Sequence, residues 1–274
     1  MDKVSAPVID MKDSSNLAEK IVKACEEWGC FRLVNNGVDT ELMAEMKAVT
    51  RSLMDLPVEV KHNNSHPEPS KGYTPLNITS PYFEGLSQYD IASPRAIDNF
   101  CSQIHVMEGL GMDWELLEDW TCQLKMNKYN YDPQSVGLTG ILLYSDPGFL
   151  TILQDDEIVN GLKAVHHITG EIVSLDPVAG SLVVNVGDVA LAWSNGRFCN
   201  VKHRVQCYEA NVRISIALFV LGPRNEKVEA PPQLLDSGNP CRYVPFDFEE
   251  YRKLRSSTKS PTGEALELLL SKTS

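Results

Sequence analysis

The sequence predicts a mainly β protein flanked by helical segments. Three observations carry this. Between residues 16 and 54 apolar residues recur at helical spacing. From Cys122 onward short apolar runs alternate with turns rich in Gly and Pro, and the tail after residue 226 returns to helical patterning. Many short strands separated by such turns indicate a sandwich, a barrel or a jelly roll.

The elements follow in order. Val8-Ile9-Asp10 reads as a short strand. Asn16 stands at a helix start with Glu19 three residues on, the pattern of a capping box. Leu17, Ile21, Ala24, Cys25 and Trp28 then share one helical face, and Gly29 ends it. Cys30–Val34 reads as a strand and Asn35-Asn36-Gly37 as a turn. Asp39 caps a second helix that stops before Pro57. Residues 62–90, rich in Asn, Ser, Pro and Gly, read as an irregular loop. Residues 105–122, with Met112, Trp114, Leu116, Leu117 and Trp120, read as a short helical stretch. Strands are expected over Leu124–Tyr129, Leu138–Leu143, Leu150–Gln154, Glu171–Leu175, Ser181–Val186, Arg204–Tyr208 and Arg213–Leu221. A helix is expected around 249–254. Another starts at Ser260-Pro261 and ends in Leu268-Leu269-Leu270.

Composition narrows the function. The chain has 274 residues and a formal charge of -12, which argues against nucleic-acid phosphates as a partner. No apolar run is long enough to span a bilayer, and Met1–Pro7 lacks the apolar core of a secretory signal. The seven cysteines show no zinc-site spacing and read as reduced thiols in the cytoplasm.

Several spaced motifs stand together. Ala24-Cys25-Glu26-Glu27-Trp28-Gly29 precedes Leu33-Val34-Asn35-Asn36-Gly37. Further on come Asn127-Lys128-Tyr129, Tyr144-Ser145-Asp146, Phe149–Glu157, Ala192–Arg197, His203-Arg204-Val205 and Arg213-Ile214-Ser215. Tyr243, Pro245, Phe246 and Tyr251 follow. In this order they resemble the plant iron(II)- and 2-oxoglutarate-dependent dioxygenases along nearly the whole chain. Phe149–Glu157 and Ala192–Arg197 resemble the auxin-oxidising subgroup in particular.

The resemblance implies a double-stranded β-helix (jelly roll) with N- and C-terminal helices. It implies a cap region over 1–100, a shortened helical bridge over 101–121, a jelly-roll core over 122–225 and a helical tail over 226–274. Asp146 and His203 fall on metal-ligand positions, and two histidines with one carboxylate would leave an iron open on one side. Tyr144 stands where the family has the first histidine, and the i, i+2 spacing points 144 and 146 the same way along an extended chain. Arg213 and Ser215, with Tyr129 and Asn127, are implied to hold 2-oxoglutarate, the guanidinium gripping its distal carboxylate. Ascorbate is the implied reductant. The implied substrate is indole-3-acetic acid, oxidised to 2-oxindole-3-acetic acid, or a related small acidic aromatic.

Two departures qualify the expectation. A phenol is neutral near pH 7 and a weak ligand for iron(II), so turnover is expected to be impaired. Relatives carry longer helical segments near residues 103–120; roughly two dozen residues are missing by typical helix lengths. The exposed surface would favour a monomer or a weak dimer. A second expectation is a pseudoenzyme that binds 2-oxoglutarate or a small ligand without turnover.

Overall fold

The computed structural model describes residues 5–77, 81–91, 93–103 and 119–271. The expected helical stretch over 105–122 lies outside these residues but for its end, and Trp120 there opens a strand instead.

Strand β1 (Val8–Asp10) pairs in parallel with β2 (Cys30–Val34). Helix α1 (Leu17–Glu27) joins them and buries Ala24 and Cys25. The expected capping box does not form. Asn16 is left-handed (φ 54°) and makes no side-chain cap bond, because an N-cap needs an extended backbone to reach the N2 or N3 amide. Gly29 ends the helix, its N–H donating to Ala24 O at 3.0 Å. Its φ is +66°, and a Cβ there would meet Cys199 O at 2.1 Å, so only glycine fits. Helix α2 (Thr40–Met54) is capped by Asp39, which accepts from the Glu41 N–H at 2.8 Å. A short α3 (Val58–His62) follows.

The expected loop over 62–90 is corrected by β3 (Phe83–Tyr89), buried from Phe83 through Gln88. Its polar composition, with Glu84, Gly85, Ser87 and Gln88, conceals it. Glu84 is tolerated inside because Lys61 Nζ and Tyr73 Oη donate to it at 2.7 and 3.0 Å, and buried charges need partners. After α4 (Pro94–Gln103) come β4 (Trp120–Asn130), β5 (Thr139–Tyr144), β6 (Leu150–Gln154), β7 (Leu162–Val165), β8 (Ile172–Ser174) and β9 (Leu182–Val186). Then follow α5 (Asp188–Trp193), β10 (His203–Gln206), β11 (Val212–Pro223) and α6 (Phe248–Thr258). The four-residue β7 carries too little periodicity to be read from sequence.

Seven strands form one sheet in the order β1-β2-β9-β6-β11-β4-β3, and four form a second in the order β5-β10-β7-β8. The two pack face to face as a jelly roll, as expected. Buried Tyr129, Leu153, Val183 and Ala217 of the larger sheet meet Leu162, Ala164, Val173 and Val205 of the smaller.

The tail departs from expectation at Ser260. Its N–H bonds back to Arg255 O at 3.2 Å, and Pro261 O accepts from the Ser145 N–H at 2.9 Å. These contacts take Ser260-Pro261 out of a helix start. The chain instead turns at Gly263 into a 3-10 segment, Glu264–Leu269.

Asp188, which follows Gly187 after β9, is fully buried. Its carboxylate accepts from Ser145 (2.8 Å), Asn200 (2.7 Å) and Tyr251 (2.6 Å), and pairs with Arg255. This network fastens α6 to the core. Removing one partner of a buried ion pair strands the other. Asp188→Ala should therefore lower unfolding free energy by about 3 kcal/mol, read as a urea midpoint shift; an unchanged midpoint would contradict this.

Candidate active site

A cavity of about 300 Å³ opens between the sheets. All seven residues singled out in the sequence line it: Asn127, Tyr129, Tyr144, Asp146, His203, Arg213 and Ser215. Two strand ladders bring them together. In the larger sheet, β11 pairs with β4 so that Arg213 faces Tyr129 and Ser215 faces Asn127. In the smaller sheet, β10 pairs with β5 so that His203 faces Tyr144. Asp146 lies just beyond the end of β5.

The first ladder sets a buried guanidinium against the cavity. Arg213 is 1% exposed. Its guanidinium carbon lies 4.9 Å from the Tyr129 ring centroid, and one terminal nitrogen pairs with Asp155. Burial works to lower its pKa, but Asp155 and the nearby phenols outweigh this and leave it raised. Its Nε and Nη1 have no hydrogen-bond partner among the described residues. Unsatisfied buried donors are costly, and a ligand carboxylate would complete them bidentately. Asn127 Nδ2 donates to Ser215 Oγ at 3.4 Å, placing a hydroxyl beside the same space. Gly161 makes room, since a Cβ there would lie 3.2 Å from Arg213 Cδ and Nε.

The second ladder brings His203 and Tyr144 together, with Asp146 beside them. Asp146 is 2% exposed, and its Oδ2 accepts from Thr151 Oγ1 at 2.6 Å. Its Oδ1 lies 3.7 Å from His203 Nε2. His203 Nδ1 is 3.3 Å from Val201 O. A carbonyl only accepts, so a proton on Nδ1 would complete this contact and leave Nε2 toward Asp146. Tyr144 fills the third position, its ring centroid 4.2 Å from that of His203. Burial first, then the charge of Asp146, pushes its phenol pKa well above the ordinary value. A neutral phenol is a poor iron(II) donor. Among the described residues no group of three or more His, Cys, Asp and Glu side chains could hold a metal. The cavity thus fits a dicarboxylate, while its donor set does not fit iron held by three protein ligands.

Three supporting residues escaped the sequence reading. Thr151 and Asp155 orient Asp146 and Arg213 from β6 and the residue after it. Lys125 also lines the cavity, and its i−2 spacing from Asn127 on β4 was the available signal. Trp193 belongs to the outer core, 5.4 Å from Phe149. His166 packs on Trp28 and His62 on Tyr73. His105 lies outside the described residues.

A jelly roll with an Asp–His pair beside a buried arginine points to an oxygenase of the 2-oxoglutarate-using class. Comparison with known proteins gives the family. Residues 120–222 match the 2OG-Fe(II) oxygenase superfamily, and residues 6–98 match the N-terminal region of non-haem dioxygenases of the kind found in morphine synthesis. The rice (Oryza sativa) 2-oxoglutarate-dependent dioxygenase DAO is 42% identical, over 96% of this chain and 98% of its own length. The chain belongs to the 2OG-Fe(II) oxygenase superfamily. The crystal structure of rice dioxygenase for auxin oxidation superposes with TM-score 0.85 at 40% identity, covering 97% of this chain and all of that one. The 2-oxoglutarate complex of the Arabidopsis thaliana enzyme for auxin oxidation gives 0.79 at 41% identity, covering 86% of this chain and all of that one.

If the phenol donates nothing to a metal, Tyr144→Phe should bind manganese(II) as weakly as the native chain. Tyr144→His should bind it at least about tenfold more tightly, as second-shell and ligand changes at such sites do. Titration calorimetry reads both, and tighter binding by native protein than by Tyr144→Phe would show the phenol to be a ligand.

Proposed function

We propose that this chain binds 2-oxoglutarate through Arg213 and Ser215, flanked by Tyr129 and Asn127, and takes a small acidic aromatic of the indole-3-acetic acid kind. The observation that carries the first half is the buried Arg213 with two donors left open. The second half is supported by likeness to the rice and Arabidopsis enzymes for auxin oxidation. The product of that oxidation would be 2-oxindole-3-acetic acid, with ascorbate as reductant.

In this family dioxygen is the oxidant; a bound iron(II) would activate it while 2-oxoglutarate gives up two electrons and leaves as succinate and carbon dioxide. Here Asp146 and His203 stand at metal-ligand positions and Tyr144 at the third, so oxidation is slow relative to an intact donor set. This chain's own contribution is positional. Arg213 fixes the cosubstrate's distal end, Thr151 holds Asp146, and the Val201 carbonyl lies beside His203 Nδ1. The apolar walls, with Phe83, Leu153 and Phe219 among them, exclude water from the ring of the substrate.

The division into 1–100, 101–121, 122–225 and 226–274, with a shortened bridge near 103–120, belongs to the same proposal. The alignment with the rice relative runs to 294 positions, more than the 274 residues of this chain. That relative therefore carries segments with no counterpart here. A cytoplasmic setting is supported by seven cysteines that form no disulfide among the described residues. Exposed Leu142, Ile158 and Ile168 fit a monomer or a weak dimer. No helix among the described residues is long and apolar enough to cross a membrane.

Succinate release from 2-oxoglutarate, with iron, ascorbate and indole-3-acetic acid, tests the reading. Native protein should release little, and Tyr144→His about tenfold more or better. Silence in both, with 2-oxoglutarate still bound, would contradict oxidation and favour binding alone. Arg213→Ala should weaken 2-oxoglutarate by about tenfold or more in calorimetry; equal affinity would refute the carboxylate site.

A further inference from the structure

Lys125 is a cation in the cavity wall with no ion-pair partner among the described residues, Asp146 being the one acid whose charge reaches it. It lies on β4 two residues from Asn127 and four from Tyr129, so all three face the same side, and all three line the cavity. Its Nζ sits 5.4 Å from the Phe83 ring centroid. Gly85 leaves room for its stem, since a Cβ there would approach Lys125 Cε to 3.0 Å. Among the described residues its ammonium makes no hydrogen bond and no ion pair. The other cavity cations are committed. Arg213 pairs with Asp155, and Arg252 with Glu68 and Glu249. Burial depresses the Lys125 pKa, and only the charge of Asp146 opposes this.

A half-buried ammonium without a partner is unfavourable unless a ligand supplies the anion. Strand geometry says which ligand. Tyr129 faces Arg213 in the ladder, Asn127 faces Ser215, and Lys125 faces Ala217. Each step is two residues, about 6.5 Å, so Lys125 stands about 13 Å up the strand from the Arg213 level. A five-carbon diacid held by Arg213 spans about one such step, which leaves Lys125 to a second acid. We infer that Lys125 binds the carboxylate of the oxidisable substrate, with the Phe83 face beside it, and so selects small aromatic acids over their neutral analogues. This rests on the acidic-aromatic reading above.

Binding in the presence of saturating 2-oxoglutarate, without iron, tests it apart from turnover. The probes are indole-3-acetate and phenylacetate, each against its amide, with calorimetry on the native chain, Lys125→Met and Lys125→Arg. Native protein should prefer each acid by about tenfold or more, Lys125→Met should bind acid and amide alike, and Lys125→Arg should keep most of the preference. Affinity for 2-oxoglutarate should stay within about twofold in all three. An acid preference that survives in Lys125→Met, or is missing from the native chain, overturns the inference. So does a loss of 2-oxoglutarate binding as large as the loss of acid binding, which would put Lys125 on the cosubstrate. A Lys125-dependent preference for phenylacetate without binding of indole-3-acetate would uphold the role of Lys125 and refute only the indole reading.

Discussion

The antiparallel ladder between β4 and β11 sets the geometry of the carboxylate half of the pocket. It places Arg213 opposite Tyr129 and Ser215 opposite Asn127. A slip of one residue would turn every one of these side chains to the other face of the sheet. Two consecutive carboxylates hold the start of β11. Asp155 pairs with the Arg213 side chain, while Asp156 accepts from the Ile214 N–H at 3.0 Å. Asp156 is itself met by Lys47 from α2 at 3.1 Å. Burial raises the Asp156 pKa, yet the backbone donors of Ile214, Val159 and Ile158 outweigh it and leave it lowered. The N-terminal helical region, the strand and the buried guanidinium are thus tied through one pair of acids.

The proposed metal half rests on a different ladder, β5 against β10, and this explains how the fold accommodates a tyrosine at 144. Tyrosine at 144 is a good strand residue. Its ring packs against His203 across the ladder, and its phenol stays neutral in a buried setting. Nothing in the β5–β10 pairing depends on an imidazole there. Asp146 and His203 keep their own supports from Thr151 and Val201. Arg213 and Tyr129, in the other sheet, still act on the Tyr144 phenol through their charges. On the proposed reading the two sheets divide the pocket's chemistry, with cosubstrate recognition on one side and a short metal donor set on the other.

Much of this was legible in the sequence. The apolar runs of β9 and β11 are strong signals because consecutive residues there are buried on both faces, and the order of Asp146, His203, Arg213 and Ser215 located the pocket. What was hidden has physical causes. β3 is polar in composition because buried Glu84 is neutralised by Lys61, a partner distant in sequence. Asn16 has the right side chain for a cap but the wrong backbone. Asp188 looks like a turn residue, yet four partners from distant segments make it a buried anchor. Asp155 and Thr151 gain their roles only when β6 is laid beside β11 and β9. Lys125 carries a period-two signal with Asn127 and Tyr129, but its meaning depends on the lack of a counter-charge, which sequence does not show.

The central claim is that the carboxylate site is complete while the metal position has two protein donors. A crystal structure of the native chain with manganese(II) and 2-oxoglutarate tests it most directly. The distal carboxylate is expected on Arg213 Nε and Nη1 with Ser215 beside it. The metal is expected at partial occupancy on Asp146 and His203 Nε2, with the Tyr144 oxygen outside bonding distance. A metal held by the Tyr144 oxygen or by a third side chain, or a cosubstrate seated away from Arg213, would contradict the claim.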